Sequence, residues 1–215
     1  MAHRSSLRSA LKGGKPVADA AARAKQVASF NGEMRDVASE LMDHFRLNDV
    51  FGIEKSAMLF DEMAHRTHYT SVLRYPVLEW KTVTKKGRKI SGWFNYGGDD
   101  KIFTRPFMRK MIEEKLVPEL QLFPNAWLVP FGPTPAFVLD ELVRKGVIGG
   151  DRILAGLNHP SGSQWNRHNC QMDRVDHNTC SPNVGCAKVQ ERTNRLKRTV
   201  AKLLTSENAS ALISD

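Results

Sequence analysis

Two groups of side chains in this sequence have types and spacings that chemistry could use, and both lie in its last third. The first is the run His159-Pro160-Ser161-Gly162. An imidazole on a loop stiffened by proline can offer a neutral N–H to an oxygen that gains negative charge during a reaction, a large electrostatic contribution to catalysis. The alternative for His159 is a loop histidine bonded to nearby backbone, since buried polar groups usually have such partners. The second group is Cys170, Cys180 and Cys186 with His168. Thiolates and imidazoles are zinc ligands, but this set contains no Cys-x2-Cys knuckle. The expectation is therefore unpaired thiols in a loop, with no metal site. His65 and His68 are spaced for one helical face, yet strand-like residues follow at once, so they are expected to flank a loop.

These groups need elements to position them. Val27, Phe30, Met34, Val37, Leu41 and Phe45 recur at near-helical spacing, which predicts an amphipathic helix or helix pair from Val17 to about Leu47, broken at Asn31-Gly32. Tyr69–Val72 is a short β-prone run closed by Pro76. Val77–Thr84 and Ile90–Tyr96 alternate like strands around Lys85-Lys86-Gly87-Arg88, which suits a hairpin turn. Thr104–Glu119 reads as helix. The apolar run Ala126–Phe131, a helix from Pro133 through Lys145 and a short strand Asp151–Leu154 then compose a βαβ unit with a parallel pair. Ligands bind beyond the carboxyl ends of such strands, and the segment there is Gly156–Gly162. After a polar stretch from Ser163 to Gly185, a helix from about Ala187 to Leu204 carries Lys188, Arg192, Arg195, Lys197, Arg198 and Lys202 against Glu191 alone.

The chain has 215 residues and a formal net charge of +9, an excess that favours a polyanionic partner such as nucleic acid. The basic C-terminal helix could track phosphates, or could be the solvated face of a packed helix. Apolar runs fall far short of the ~20 residues of a membrane span. Three clustered cysteines, with no apolar leader in the first 15 residues, lead to the expectation of a reducing, cytoplasmic setting.

The strand–helix–strand order ending in Arg152–Gly162, with Leu128-Val129-Pro130-Phe131-Gly132 before it, resembles the C-terminal half of the uracil-DNA glycosylase superfamily, in which a strand leads into a His-Pro-Ser loop. Tyr69–Pro76 is similar to that superfamily's central strand, and the similarity covers about residues 50–168. The resemblance implies an α/β three-layer sandwich with a central, mainly parallel sheet and helices on both faces. It implies a monofunctional DNA glycosylase that hydrolyses the N-glycosidic bond of a uracil-like or modified pyrimidine flipped from the duplex. No cofactor is implied, the partner is DNA, and a monomer is expected. His159 becomes the catalytic electrophile. Ser71 and Ser161 contact the base, while Pro160, Gly162, Gln164, Trp165 and Arg167 touch DNA, Gln164 or Trp165 filling the vacated stack and Arg167 gripping a phosphate.

Two departures shape that expectation. Ser71 stands where the superfamily usually has asparagine, and its shorter side chain would leave room for a bulkier pyrimidine. The superfamily's first strand and its Gly-x-Asp-Pro or Gly-x-Asn-Pro water loop have no counterpart, so no general base is named. The expected organisation is a flexible basic arm over 1–16, a glycosylase-like domain over 17–168, and a Cys-containing loop with the basic helix over 169–215. Two other functions remain open: a basic nucleic-acid-binding protein that has lost hydrolysis, and a hydrolase of free nucleotides.

Overall fold

The computed structural model describes Phe30, residues 32–85 and residues 87–212. The expected arm 1–16, most of the helical stretch from Val17, Asn31 at its expected break and Lys86 at the hairpin tip lie outside the described residues. The chain divides into two units. One gathers the residues up to Thr70, Leu128–Pro133 and Ile153 onward; the other gathers Ser71–Trp127 and Thr134–Arg152.

The first unit is helical. Helix α1 (Glu33–His44) carries Glu33 and Asp36 in its first turn, charges that suit the helix dipole, and ends at His44. It buries Val37, Ala38, Leu41 and Met42. Arg46, in the left-handed region at φ 60°, turns the chain into the short α2 (Leu47–Val50). Helix α6 (Trp165–Gln171) and the long α7 (Cys186–Leu212) complete the set. Along α7, Val189, Thr193, Leu196 and Val200 are buried, a spacing of three and four that puts them on one stripe facing α2 and α6.

In the second unit, strands β1 (Leu78–Lys85) and β2 (Arg88–Asn95) form an antiparallel hairpin with Trp80 opposite Trp93 and Lys85 opposite Arg88. The hairpin predicted from alternation is present, and its turn closes at Gly87 with φ +75°, which suits glycine. Helix α3 (Pro106–Met111) runs through a π turn (Ile112–Leu116) into α4 (Val117–Gln121). Pro118 explains the wide turn, since it has no N–H to donate backwards and its ring needs room. Helix α5 (Pro133–Arg144) buries Ala136, Val138, Leu139 and Leu142, and Ile102, Met108, Met111, Ile112, Leu116 and Leu120 provide the rest of this core. A polar knot fixes the segment after β2. Both guanidinium ends of Arg105 donate to Asp99 at 2.7 Å, and the Tyr96 hydroxyl donates to the same carboxylate at 2.8 Å.

The expected three-layer sandwich is overturned. Among the described residues the one sheet is the two-stranded antiparallel hairpin, and most of the structure is helix. The predicted parallel pair survives as an isolated bridge between Leu128 and Ile153, with Leu154 N–H donating to the Leu128 carbonyl and Gly132 N–H to the Leu157 carbonyl, both at 2.9 Å. Its brevity has a cause: Pro130 removes a ladder donor midway along the first segment, and Pro133 ends it. Nor is Ala126–Phe131 buried on both faces; Ala126 is exposed and Trp127, Leu128, Val129 and Phe131 are half-buried. The expected strand at Tyr69–Val72 is irregular chain.

Candidate functional site

The loop from Gly156 to Ser161 leaves the parallel bridge and is held from behind by α6 and α7. Gln171, fully buried on α6, uses both ends of its amide. Its carbonyl oxygen accepts the Asn158 backbone N–H at 2.8 Å, while its NH2 donates to the Gly156 carbonyl at 2.7 Å and to Thr193 Oγ1 at 3.2 Å. Asn158, 2% exposed, donates from Nδ2 to the Arg167 carbonyl at 2.9 Å and accepts from Arg192 at 2.9 Å. His168, fully buried, donates from Nε2 to the His159 carbonyl at 2.8 Å. Gly156 permits this approach. Its φ is +145°, and a methyl group there would lie 2.6 Å from the Arg192 carbonyl oxygen and 2.7 Å from Leu196.

The product is a histidine whose backbone is fixed and whose ring stands outward. The flanking protein, with a lesser contribution from His168, holds the His159 imidazole below its ordinary 6.5, so the neutral N–H form prevails at pH 7. Arg192 lies half-buried behind Asn158, and burial together with neighbouring Arg167 lowers its proton affinity. Its Nε, like His168 Nδ1, is buried with no hydrogen-bond partner among the described residues.

The other predicted site residues fall in varied settings. Ser161 shares a 2.9 Å hydroxyl–hydroxyl bond with Ser163. Pro160 is buried and Gly162 exposed. Trp165 is 51% exposed and packs edge-on against His168. Arg167 uses its guanidinium inside the fold, on the Val184 and Asn183 carbonyls at 3.1 Å and on Gln164. Ser71 is exposed on irregular chain in the second unit, not on a central strand. A groove of about 420 Å³ in the second unit, lined by residues including Leu120, Trp127, Ile148 and Arg152, does not include His159.

Sequence reasoning missed two neighbours of the loop. Glu33 faces it: a methyl group on Gly162 would lie 3.7 Å from Glu33 Oε2. Phe30, Phe60, Tyr69 and Phe131 form an aromatic cluster, Phe30 lying 5.5–5.7 Å from each of the others, and Phe131 immediately precedes the Gly132 that bonds the loop strand. Phe30, Tyr69 and Phe131 fall in separate predicted elements, Glu33 and Phe60 belong to no motif, and nothing local in the sequence joins them.

The cysteines gather, but with a different histidine. His168 belongs to the loop clamp, whereas His177 meets the thiols. The donor atoms of Cys170, His177, Cys180 and Cys186 all lie within 4.8 Å of one another. His177 Nδ1 is 3.3 Å from Cys186 Sγ and 3.7 Å from Cys170 Sγ, and Cys180 Sγ is 2.8 Å from Cys186 Sγ. In this structure Cys170 and Cys186 are joined as a disulfide, and Cys180 is the free thiol of the three. The expectation of scattered unpaired thiols is corrected here. The signal was His177-Asn178-Thr179-Cys180, a two-residue spacing that mixes the ligand types.

No family model and no solved structure matches the chain. A curated protein of Bacillus subtilis (strain 168), described as uncharacterized protein YoxB, is 30% identical over 168 residues, 77% of this chain and 60% of that protein. The chain thus spans less than two thirds of the relative it matches. No described helix is long and apolar enough to cross a membrane.

Proposed function

We propose that this chain is a DNA glycosidase that releases a uracil-like or modified pyrimidine base, with His159 as its electrophile. The observation that carries the reading is the clamped loop: five buried or half-buried hydrogen bonds with Arg167, His168, Gln171 and Arg192 fix residues 156–159 while His159 itself is exposed. Preorganised donors of this kind are worth most when they meet charge that grows only in the transition state. As the C1′–N bond breaks, its electron pair leaves with the base. The developing anion on the base carbonyl oxygen accepts from the neutral His159 N–H, with the Arg192 charge close behind the loop. Water adds to C1′ and gives up a proton. Glu33, whose carboxylate lies beside Gly162 just after the loop, is the residue we assign to that water. The resemblance of Arg152–Gly162 to the His-Pro-Ser loop of the uracil-DNA glycosylase superfamily supports the substrate class, and the net charge of +9 supports DNA as the partner.

The test is release of base from oligonucleotides carrying uracil or 5-substituted pyrimidines, read as alkali-labile strand cleavage. His159→Ala should reduce cleavage at least about a hundredfold, the scale of losing one transition-state donor, and leave DNA affinity within a few-fold. Unchanged cleavage in that variant would overturn the assignment. A second reading, binding without hydrolysis, draws on the hairpin, where Trp80 and Trp93 are 62% and 65% exposed and the tip four to five residues away carries Lys85, Arg88 and Lys89. Exposed rings next to cations make a stacking platform for unpaired bases. Salt-sensitive binding with no base released over hours would select it.

A further inference from the structure

We propose that Cys170, His177, Cys180 and Cys186 bind one zinc ion in a closed, structural Cys3His site. The inference is independent of the glycosidase reading. Four groups of the right chemistry arrive from three separate elements: Cys170 from the last turn of α6, His177 and Cys180 from a 3-10 turn and the residue after it, and Cys186 as the first residue of α7. Their donor atoms lie within 4.8 Å of one another. Bonds of about 2.3 Å to sulfur and 2.0–2.1 Å to nitrogen place tetrahedral ligands roughly 3.5–3.8 Å apart, so the sulfurs open by about 1 Å or more from their present spacing to seat the ion.

The surroundings are those of a ligand set. Asp173 Oδ1 accepts from His177 Nε2 at 2.9 Å, which puts the proton on Nε2 and leaves the Nδ1 lone pair aimed at the sulfurs. A carboxylate on the far nitrogen is the usual support for a metal-bound histidine. Lys197 holds the other oxygen of that carboxylate at 3.0 Å. Gln190 donates to the Cys170 carbonyl at 2.8 Å and reaches toward its sulfur at 3.9 Å. Asp176 caps the turn that presents His177, accepting the Asn178 N–H at 2.9 Å. Cys186, at the first position of a long helix, is placed where a thiolate is favoured. A disulfide between Cys170 and Cys186 would account for two of these groups and leave Cys180 and the oriented imidazole without a purpose. Segment 173–183 is largely exposed and short of apolar residues, so it lacks a core to hold it, and a metal would supply that hold.

Zinc takes the reduced chain: a thiol reductant first supplies two electrons and two protons that open the Cys170–Cys186 disulfide, and binding then forms three Zn–S bonds and one Zn–N bond, displaces water from the ion and releases one proton from each thiol. Zinc fits best because three thiolates and an imidazole with no open position make a redox-inert tetrahedral site.

The experiment uses the full chain, produced in zinc-supplemented medium and purified under reducing conditions without chelator. Elemental analysis should find one zinc per chain. Exchange for Co2+ should give thiolate-to-cobalt charge-transfer bands and the strong d–d bands of a tetrahedral centre. Cys180→Ser and His177→Ala should each lose most of the bound zinc, and Asp173→Asn should weaken binding by about 10–100-fold. Protein free of zinc, whose intact mass is two hydrogens lower and which has one titratable thiol, would overturn the proposal in favour of the Cys170–Cys186 disulfide. Wild-type stoichiometry near zero after refolding with Zn2+ would overturn it too, whatever the variants do.

Discussion

The histidine loop and the β1–β2 hairpin show two ways of holding a short segment in place. Residues 156–159 have almost no regular structure of their own, yet their polar groups are paired with side chains between 9 and 34 positions away. The hairpin is the reverse. Its backbone is paired strand to strand over eight residues, but Leu78, Trp80, Ile90 and Trp93 remain exposed. Order in the loop is borrowed from two helices, whereas order in the hairpin is local. Damage to the loop should therefore spread through its unit, and damage to the hairpin face should stay where it is made.

The hardest blow to that contrast is Gly156→Ala, which combines an unfavourable φ with an overlap against α7; a loss of about 3–5 kcal/mol is expected in denaturant unfolding. A cost below about 1 kcal/mol would mean that α7 gives way easily. Next is Gln171→Ala, which strands the Asn158 N–H and the Gly156 carbonyl and should cost about 2–3 kcal/mol by the same measurement. A smaller divergence is expected with pH. The six histidines among the described residues lie outside the second unit, and burial lowers both His44 and His159. Protonation of these two favours the unfolded chain, so their contribution is full above pH 6.5 and is lost as the pH falls toward their depressed values. Arg105 holds Asp99 well below its usual range, and that contribution persists until the pH drops below the ordinary carboxylate range. Hydrogen-exchange protection, corrected for the slower intrinsic exchange at lower pH, should accordingly fall in the first unit before the second between pH 7 and 5. The smallest effect belongs to Trp93→Ala, which removes an exposed cross-strand partner of Trp80 and should cost at most about 1 kcal/mol by thermal melting.

The same contrast explains what was legible in the sequence. The hairpin, α5 and α7 were readable because alternation or a three-to-four spacing records a local preference. The His-Pro-Ser loop was readable as a motif, but its support was not: Gln171 and Thr193 read as ordinary polar residues, and Arg192 read as one more cation on a solvated face. Pro130, inside the apolar run 126–131, was the visible warning that no full strand would form there. His168 and His177 each lie within three residues of a cysteine, and only the packing shows that one turns to the loop and the other to the thiols.

Because α7 begins at Cys186 and supplies Arg192 and Thr193 two turns later, a single rigid rod sets the phase between the cysteine cluster and the histidine loop. One residue inserted between Ala187 and Glu191 would rotate the remainder by about 100° and advance it by ~1.5 Å, swinging both contacts off their targets with every side chain still present. Length changes should be far better tolerated between Asp173 and Asp176, where the chain is exposed and no helix transmits the error.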